Sequence, residues 1–421
     1  MTSNPKYDEA YVWIWLPNTI EPVVAGRLAR QSDDRLAFNY GQSYLARTDA
    51  ISIYEPELPL KSGALDLHDK MKMPSCIRDA SPDAWGRRVI INRTLGLKGD
   101  DASQVDIDEL TYLLESGSDR IGALDFQSSP NIYTPRQRKM ATLEELMASA
   151  EKVEKGIPLS PELDLALQHG TSLGGARPKA LIEDNATKHI AKFSTSTDLY
   201  NVVKAEFVAM RLAAHIGLNV APVKLVKALG KDVLLVERFD RTHTTAGWNR
   251  HALVSALTIL NLDESEARYA SYEDLATLIR HRFTNPEKTL EELFSRIVFN
   301  ILSGNTDDHA RNHAAFWDGR NLTLTPAYDI CPQGRTGGEA TQAMMITGNK
   351  KYSKLTICLE AAPQFLLTPQ KAAKLINNQL NTIRNLWGHV CEEGNLTEID
   401  RNFLWQRQFL NPYALEGFTE E

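Results

Sequence analysis

Strand-type and helix-type segments are segregated along this chain, and their order restricts the available folds more than any single motif does. Between residues 10 and 60, AYVWIWL, PVVAGRLA and RLAFNY are rich in β-branched and aromatic residues and are parted by Pro, Gly, Asn and Asp, as short strands joined by turns would be. From 186 to 240 the pattern is strand, helix, strand. HIAKFS alternates, VVKAEFVAMRLAAHIGL carries apolar residues at helical spacing up to a capping Gly217, and DVLLVERFD is an apolar strand with a charged exit. After 250 helical periodicity dominates, interrupted by the strand-like NLTLTPAYDI at 321–330. Strands first and helices afterwards predict an α+β, two-lobed body, β-rich at its N-terminal end and mostly helical at its C-terminal end.

Several local signals refine this outline. SPDAWGRRVIINRTLGL, 81–97, predicts a helix with Ser81 as N-cap and Pro82 in the first turn. SGSDRIGALDF reads as a turn into a strand, and Thr142 with Glu145 forms a capping box for the next helix. The polar stretch QSSPNIYTPRQRK, 127–139, with two prolines, is expected to be a domain boundary. A chain of 421 residues fits two or three domains. The divisions expected are 1–135, a β-rich part, 136–241, a nucleotide-binding core, and 242–421, a helical lobe.

Charge and cysteine content exclude several classes. With 47 Lys plus Arg against 54 Asp plus Glu the net charge is -7, which argues against a broad basic surface that grips nucleic acid directly. The polar, acidic N-terminus offers no secretory signal, and the longest apolar run, Ala252 to Leu262, is too short to span a bilayer. The four cysteines, Cys76, Cys331, Cys358 and Cys391, form no CxxC pair, so neither a zinc site nor a disulfide framework is expected. A soluble protein of the cytoplasm, without a membrane partner, is the expectation.

The chemistry concentrates in SGNTDDHARN. Asp307 and Asn312 form D-x-x-x-x-N, and Asp329 closes a strand-like segment further on. Phosphoryl transfer needs one Asp to take or orient the proton of the attacking hydroxyl, and an Asn and a second Asp to hold Mg2+ on the nucleotide phosphates. Alone, the motif is equally a turn rich in capping residues. Upstream, Lys192 lies mid-strand on a face of its own beside His189 and Ala191, and Glu206 lies on the following helix. Kinases use such a pair to hold the α and β phosphates; the alternatives are an edge-strand lysine and a solvated glutamate. Glu237, Arg238 and Phe239 follow an apolar strand and could offer backbone groups to an adenine. HGTSLGGARPKA, 169–180, holds three glycines whose amides could approach phosphates, or is a surface loop. It is not a Walker A loop, because Ala176 and Arg177 stand where Lys and Ser/Thr are needed.

In this order the segments resemble the HipA family of serine/threonine kinases, the toxin half of bacterial toxin–antitoxin pairs. TSLGGARPKA, HIAKF, VERFDR, NTDDHARN and LTPAYDI carry the resemblance, with SPDAWGRR and DRIGALDF in the N-terminal half. It implies a protein-kinase-like fold and Mg2+-dependent use of ATP. Asp307 would be the catalytic Asp, Asn312 and Asp329 the Mg2+ ligands, and Lys192 the phosphate lysine with Glu206 as its ion-pair partner. Glu237, Arg238 and Phe239 would form the adenine hinge, and Gly174, Gly175, Ala176, Arg177, Pro178 and Lys179 the phosphate loop. His309, Ala310, Arg311 and Tyr328 would complete the nucleotide contacts, and Ser172 would be autophosphorylated, switching the enzyme off. Asp308 departs from the family's usual small residue and Arg311 from its usual Lys. The resemblance also implies a small helix-turn-helix antitoxin (HipB-like) that carries the pair to operator DNA, and glutamyl-tRNA synthetase as a substrate.

Two rival readings come from other classes. Asp307, Asp308, His309 and His313 could form a hydrolytic metal site, the two histidines having the i,i+4 spacing of one helix face; metal content separates this from a kinase. Alternatively the chain could be an inactive kinase-like scaffold or corepressor bound to a DNA-binding antitoxin, which incubation with labelled ATP would reveal.

Overall fold

The computed structural model describes residues 6–65, 67, 70–95, 107–136, 141–155, 157, 177–184, 186–195, 198–335 and 337–420. The chain forms two compact units. The first comprises residues 1–195, 226–254 and 317–320, and the second 196–225, 255–316 and 321–421.

The first unit is built on two sheets. Strands β1 (Glu9–Ile14), β2 (Val23–Arg30), β3 (Leu36–Tyr40) and β4 (Leu124–Gln127) make an antiparallel sheet in the order β3-β2-β1-β4. The second sheet holds β5 (Lys179–Glu183), β6 (Lys188–Phe193), β7 (Val223–Ala228) and β8 (Lys231–Glu237) in the order β5-β6-β8-β7. β6 is therefore an inner strand. Its alternation buries His189, Ala191 and Phe193 and leaves Lys188, Ile190 and Lys192 half-buried on the other face. Lys192 thus shares its face with Lys188 and Ile190, and it is not an edge-strand lysine.

Helices α1 (Ala84–Leu95), α2 (Glu109–Glu115) and α3 (Leu143–Glu154) belong to the same unit. Trp85 and Val89 of α1 and Leu146, Met147, Ala150 and Val153 of α3 pack with Ala180, Ala191, Phe193 and Val233 of the sheet. Each large apolar side chain buried this way contributes about 1.5–3 kcal/mol. The capping box of Thr142 and Glu145 starts α3 as the sequence predicts. α1 starts later than expected, at Ala84. Asp83 caps it, its carboxylate accepting the Gly86 amide at 3.1 Å and its carbonyl the Arg87 amide at 2.8 Å. A carboxylate is as good a cap as the Ser81 hydroxyl and stands next to the helix.

The expected break at 127–139 does not part compact units. Arg136 donates to Ser116 O, Phe126 O and the Asp125 carboxylate, each at 2.7 Å, so the described part of this stretch, 127–136, is fastened to the β4 region. Beyond β8 a hairpin follows, β9 (Arg241–Thr244) paired with β10 (Gly247–Arg250), and then β11 (Leu253–Ser255).

The second unit is mainly helical. Its longer helices are α4 (Val202–Ile216), α5 (Tyr272–Arg282), α6 (Pro286–Ser303), α7 (Leu355–Ala361), α8 (Pro369–Glu393) and α9 (Glu398–Leu404). α4 ends at Gly217 in the left-handed conformation, φ 92°, as its sequence predicts. α4 packs against α8 and α5 against α6. Strands β12 (Ala314–Trp317) and β13 (Leu322–Leu324) pair. The strand expected over 321–330 ends at Leu324; Ala327 then makes only an isolated bridge to Val220, because Pro326 has no amide to donate to a ladder. Asp329 therefore stands in a loop rather than at a strand end. Among the described residues no helix is long and apolar enough to cross a membrane.

Candidate active site

α6 delivers the acidic loop. The helix is buried continuously from Leu293 to Ser303 and stops at Gly304, φ 72°. A Cβ on Gly304 would lie 2.6 Å from Gln408 O, so both conformation and space require glycine here. Asn305 then donates to the Asn300 side chain at 2.9 Å, fixing the start of the loop.

The two adjacent aspartates part company in the loop. Asp308 is buried, and its carboxylate accepts hydrogen bonds from the Tyr272 hydroxyl, Asn300 Nδ2 at 2.6 Å and His313 Nε2 at 3.0 Å. It is a structural anchor whose lone pairs are used within the fold. Asp307 is exposed. Partial burial nonetheless pushes its carboxyl above the usual aspartate range; His309 opposes this, and the negative charges of Asp329 and Asp308 reinforce it. The backbone carbonyl of Asp307 accepts the His309 amide at 2.9 Å and Asn312 Nδ2 at 3.2 Å. With its amide nitrogen held on that carbonyl, the Asn312 carboxamide turns its oxygen away from it.

Asp329 joins this group from the other side. Its φ is 59°, a left-handed conformation that Asp tolerates better than most residues and that tends to cluster at functional sites. The Tyr328 hydroxyl donates to Arg311 O at 2.7 Å, the Ala327 amide to Asn219 O at 2.7 Å and the Gln333 amide to Gly304 O at 3.0 Å. The Asp329 segment is thereby tied to the Asp307 loop at both ends. Arg311 is ion-paired with Glu264. Glu206 is buried on α4, so it is not the solvated charge that the alternative reading supposed.

His309 and His313 do not share a helix face. They flank a single 3-10 turn, Ala310–Asn312, and His313 is bound to Asp308, which removes the geometry of the hydrolase reading. Among the described residues no three His, Cys, Asp or Glu side chains are grouped as a metal site would need. Asn312 and Asp329 each carry oxygen donors, the kind that a hard cation such as Mg2+ takes.

The other predicted residues lie in the first unit. Lys192 faces Lys179 across β5 and β6 in direct register. Lys179 is buried and its ammonium pairs with Asp83 at 3.3 Å, so this member of the expected phosphate loop is the first residue of β5. Arg177 and Pro178 precede it; Ser172, Gly174, Gly175 and Ala176 lie outside the described residues. Glu237 ends β8. Phe239 is half-buried, and between them Arg238 is turned into a buried ion cluster that sequence reasoning missed.

In that cluster Arg238 donates to Asp240 at 2.9 and 2.8 Å, to Asp119 Oδ1 at 3.1 Å and to Arg120 O at 2.7 Å. Arg241 donates to the same Asp119 oxygen at 3.1 and 2.9 Å and to Asp240 at 2.9 Å, while Lys188 reaches Asp119 Oδ2 at 2.8 Å. Burial alone would raise Asp119; Arg238, Arg241 and Lys188 outweigh it and hold the carboxyl well below the usual range. Asp240 is held at about 2 by the two arginines against the same burial. The one available signal was the Asp-Arg dipeptide repeated in DRIGALDF and VERFDR, the second directly after an apolar strand.

The segments DRIGALDF and VERFDR also fall within two family models that match this chain. A model described as HipA N-terminal domain matches residues 16–127, and one described as HipA-like C-terminal domain matches 171–387. The chain belongs to the HipA family. Among curated relatives, a putative kinase of Sinorhizobium fredii is 31% identical over 163 residues, 35% of this chain and 36% of that protein. The serine/threonine-protein kinase toxin HipA of Shewanella oneidensis is 28% identical over 161 residues, 34% of this chain and 36% of the relative. These matches thus span about a third of the relatives' length. The solved HipA of Shewanella oneidensis, in complex with HipB and operator DNA, superposes with a TM-score of 0.69 over 96% of both chains at 19% identity. The fold is the α+β fold of HipA.

Proposed function

We propose that this protein is an ATP- and Mg2+-dependent serine/threonine kinase acting as the toxin of a HipA/HipB-like pair. The observation that carries the reading is the separation of the two neighbouring aspartates: Asp308 is consumed by three hydrogen bonds, whereas Asp307 is exposed beside Asp329 with its proton affinity raised.

In this reading Asp307 orients the substrate hydroxyl and accepts its proton as the phosphoryl group is transferred. Asn312 Oδ1 and the Asp329 carboxylate hold Mg2+, which when bound neutralises charge on the phosphates. Lys192 contacts the phosphates with Arg177 and the glycine loop. Glu237 and Phe239 present backbone groups to the adenine, and His309, Ala310, Arg311 and Tyr328 border the nucleotide. Ser172 accepts a phosphate from the enzyme itself, and its added charge of about -1.5 to -2 drives ATP out of the loop.

The partners proposed are a small helix-turn-helix antitoxin, DNA through that antitoxin, and glutamyl-tRNA synthetase as protein substrate. The relative solved with HipB and operator DNA supports the first two; the family resemblance alone supports the third.

Calorimetry with Mg·ATP tests the nucleotide half of the proposal. Binding by the wild-type chain that weakens in Asp329→Ala is expected, since a carboxylate ligand is lost. Unchanged affinity in that variant would remove Asp329 from the metal site.

A further inference from the structure

We infer that Asp119 is a positioning residue for the nucleotide, setting through Arg238 the end of β8 against which the adenine is read. The inference rests on the kinase reading above. Arg238 stands between Glu237 and Phe239, the two residues whose backbone would meet the base. Its own amide donates to Lys188 O at 2.8 Å, and strand alternation turns the amide of Glu237, the last residue of β8, to the opposite edge. The place of that edge is fixed by where Arg238 is fixed.

Asp119 holds both sides of this bond. Its Oδ1 accepts from Arg238, and its Oδ2 accepts from Lys188, the residue whose carbonyl receives the Arg238 amide. Within the buried group, Arg238 and Arg241 face Asp119 and Asp240, with Lys188 and Arg250 adding positive charge toward Asp119. Removing the Asp119 carboxylate leaves two buried guanidiniums on Asp240 alone. Neither can shed its proton, so one must move. Arg241 keeps further anchors on Gly122 O and Asp240 O, each at 2.9 Å. Among the described residues, Arg238 has Asp240 and the carbonyls of Asp119 and Arg120, which belong to the residues disturbed. The displacement therefore falls on the hinge residue.

This gives the N-terminal region a role in the reaction. Asp119 and Arg120 lie in the stretch matched by the HipA N-terminal model, and Lys188, Arg238, Asp240 and Arg241 in that matched by the C-terminal model. Inside the first unit the two matched regions share one ion cluster, so the adenine edge would be assembled by both.

The test is calorimetric affinity of the full chain for Mg·ATP and Mg·GTP, with thermal unfolding recorded alongside. Asp119→Asn should weaken ATP by about tenfold, equivalent to about 1.4 kcal/mol, and weaken GTP less, because what is lost is recognition of the base. Asp119→Glu, which keeps the charge, should fold and give an intermediate ATP-to-GTP ratio. Thr142→Ala, which removes the α3 cap in the same unit, should lower the unfolding temperature and leave the ratio alone. An unchanged ratio in both Asp119 variants, or a change of equal size in Thr142→Ala, overturns the inference while leaving the kinase reading standing. Failure of the wild-type chain to bind Mg·ATP would overturn both.

Discussion

Replacing Asp308 by Ala should damage the fold, where replacing its neighbour Asp307 should not. The Asp308 carboxylate accepts from the Tyr272 hydroxyl, from Asn300 at 2.6 Å and from His313 at 3.0 Å, and the residues concerned are all buried. A hydrogen bond to a charged acceptor contributes about 1.5–3 kcal/mol, and a buried donor left without a partner costs about 1–3 kcal/mol. The three bonds share one acceptor and are not additive, so the expected loss is about 3–5 kcal/mol. For a unit of this size each kcal/mol moves the unfolding midpoint by about 2–4 °C, giving a fall of roughly 10 °C. Circular dichroism melts of the full chain measure it. Asp308→Asn, which keeps an acceptor oxygen, should lose less than Asp308→Ala, and Asp307→Asn should stay within about 2 °C of wild type, the range of exposed substitutions. A fall of under about 2 °C for Asp308→Ala, or an equal fall for Asp307→Asn, would refute the assignment of anchor and catalyst.

Two other outcomes follow from the same loop. The Asp307 carboxyl, followed by carbon NMR in the metal-free chain, should titrate above the usual aspartate range and move down in Asp329→Ala, since the Asp329 charge is one cause of the raised value. The sign for stability is that a raised native value favours folding at pH below the unfolded value and loses that contribution as pH rises through the native one; Asp307→Asn should flatten this part of the pH–stability curve, and an unchanged slope would contradict it. Gly304→Ala, with φ 72° and a clash at 2.6 Å with Gln408 O, should destabilise by at least about 1–2 kcal/mol in denaturant titration, and a neutral effect would show that the turn after α6 is not under the constraint described.

How much of this was legible depended on the range of the interactions. Local signals read well: the Thr142 capping box, the stop at Gly217 and the alternation of HIAKF each involve residues within one turn or strand. The start of α1 was misplaced because Ser81 and Asp83 are both competent caps and sequence alone does not rank them. The strand before Asp329 was overextended because apolar alternation continues past Leu324, while Pro326 and a single long-range bridge at Ala327 decide the backbone. The spacing to Asn312 pointed to Asp307, but the anchoring role of Asp308 was invisible, since it depends on Tyr272, a residue 36 positions away. The Asp119 cluster was missed for the same reason, its partner Arg238 lying 119 residues further on.

The most direct measurement of the central claim is transfer of labelled γ-phosphate from Mg·ATP by the wild-type chain, Asp307→Asn and Asp308→Asn, read on the chain itself and on added glutamyl-tRNA synthetase. The account predicts label on serine or threonine with wild type and less than a few per cent of it with Asp307→Asn, although that variant remains folded and binds ATP. Asp308→Asn, assayed below its unfolding temperature, should retain measurable transfer. No transfer by wild type, or Asp307→Asn working as well as wild type while Asp308→Asn is dead, would contradict the account.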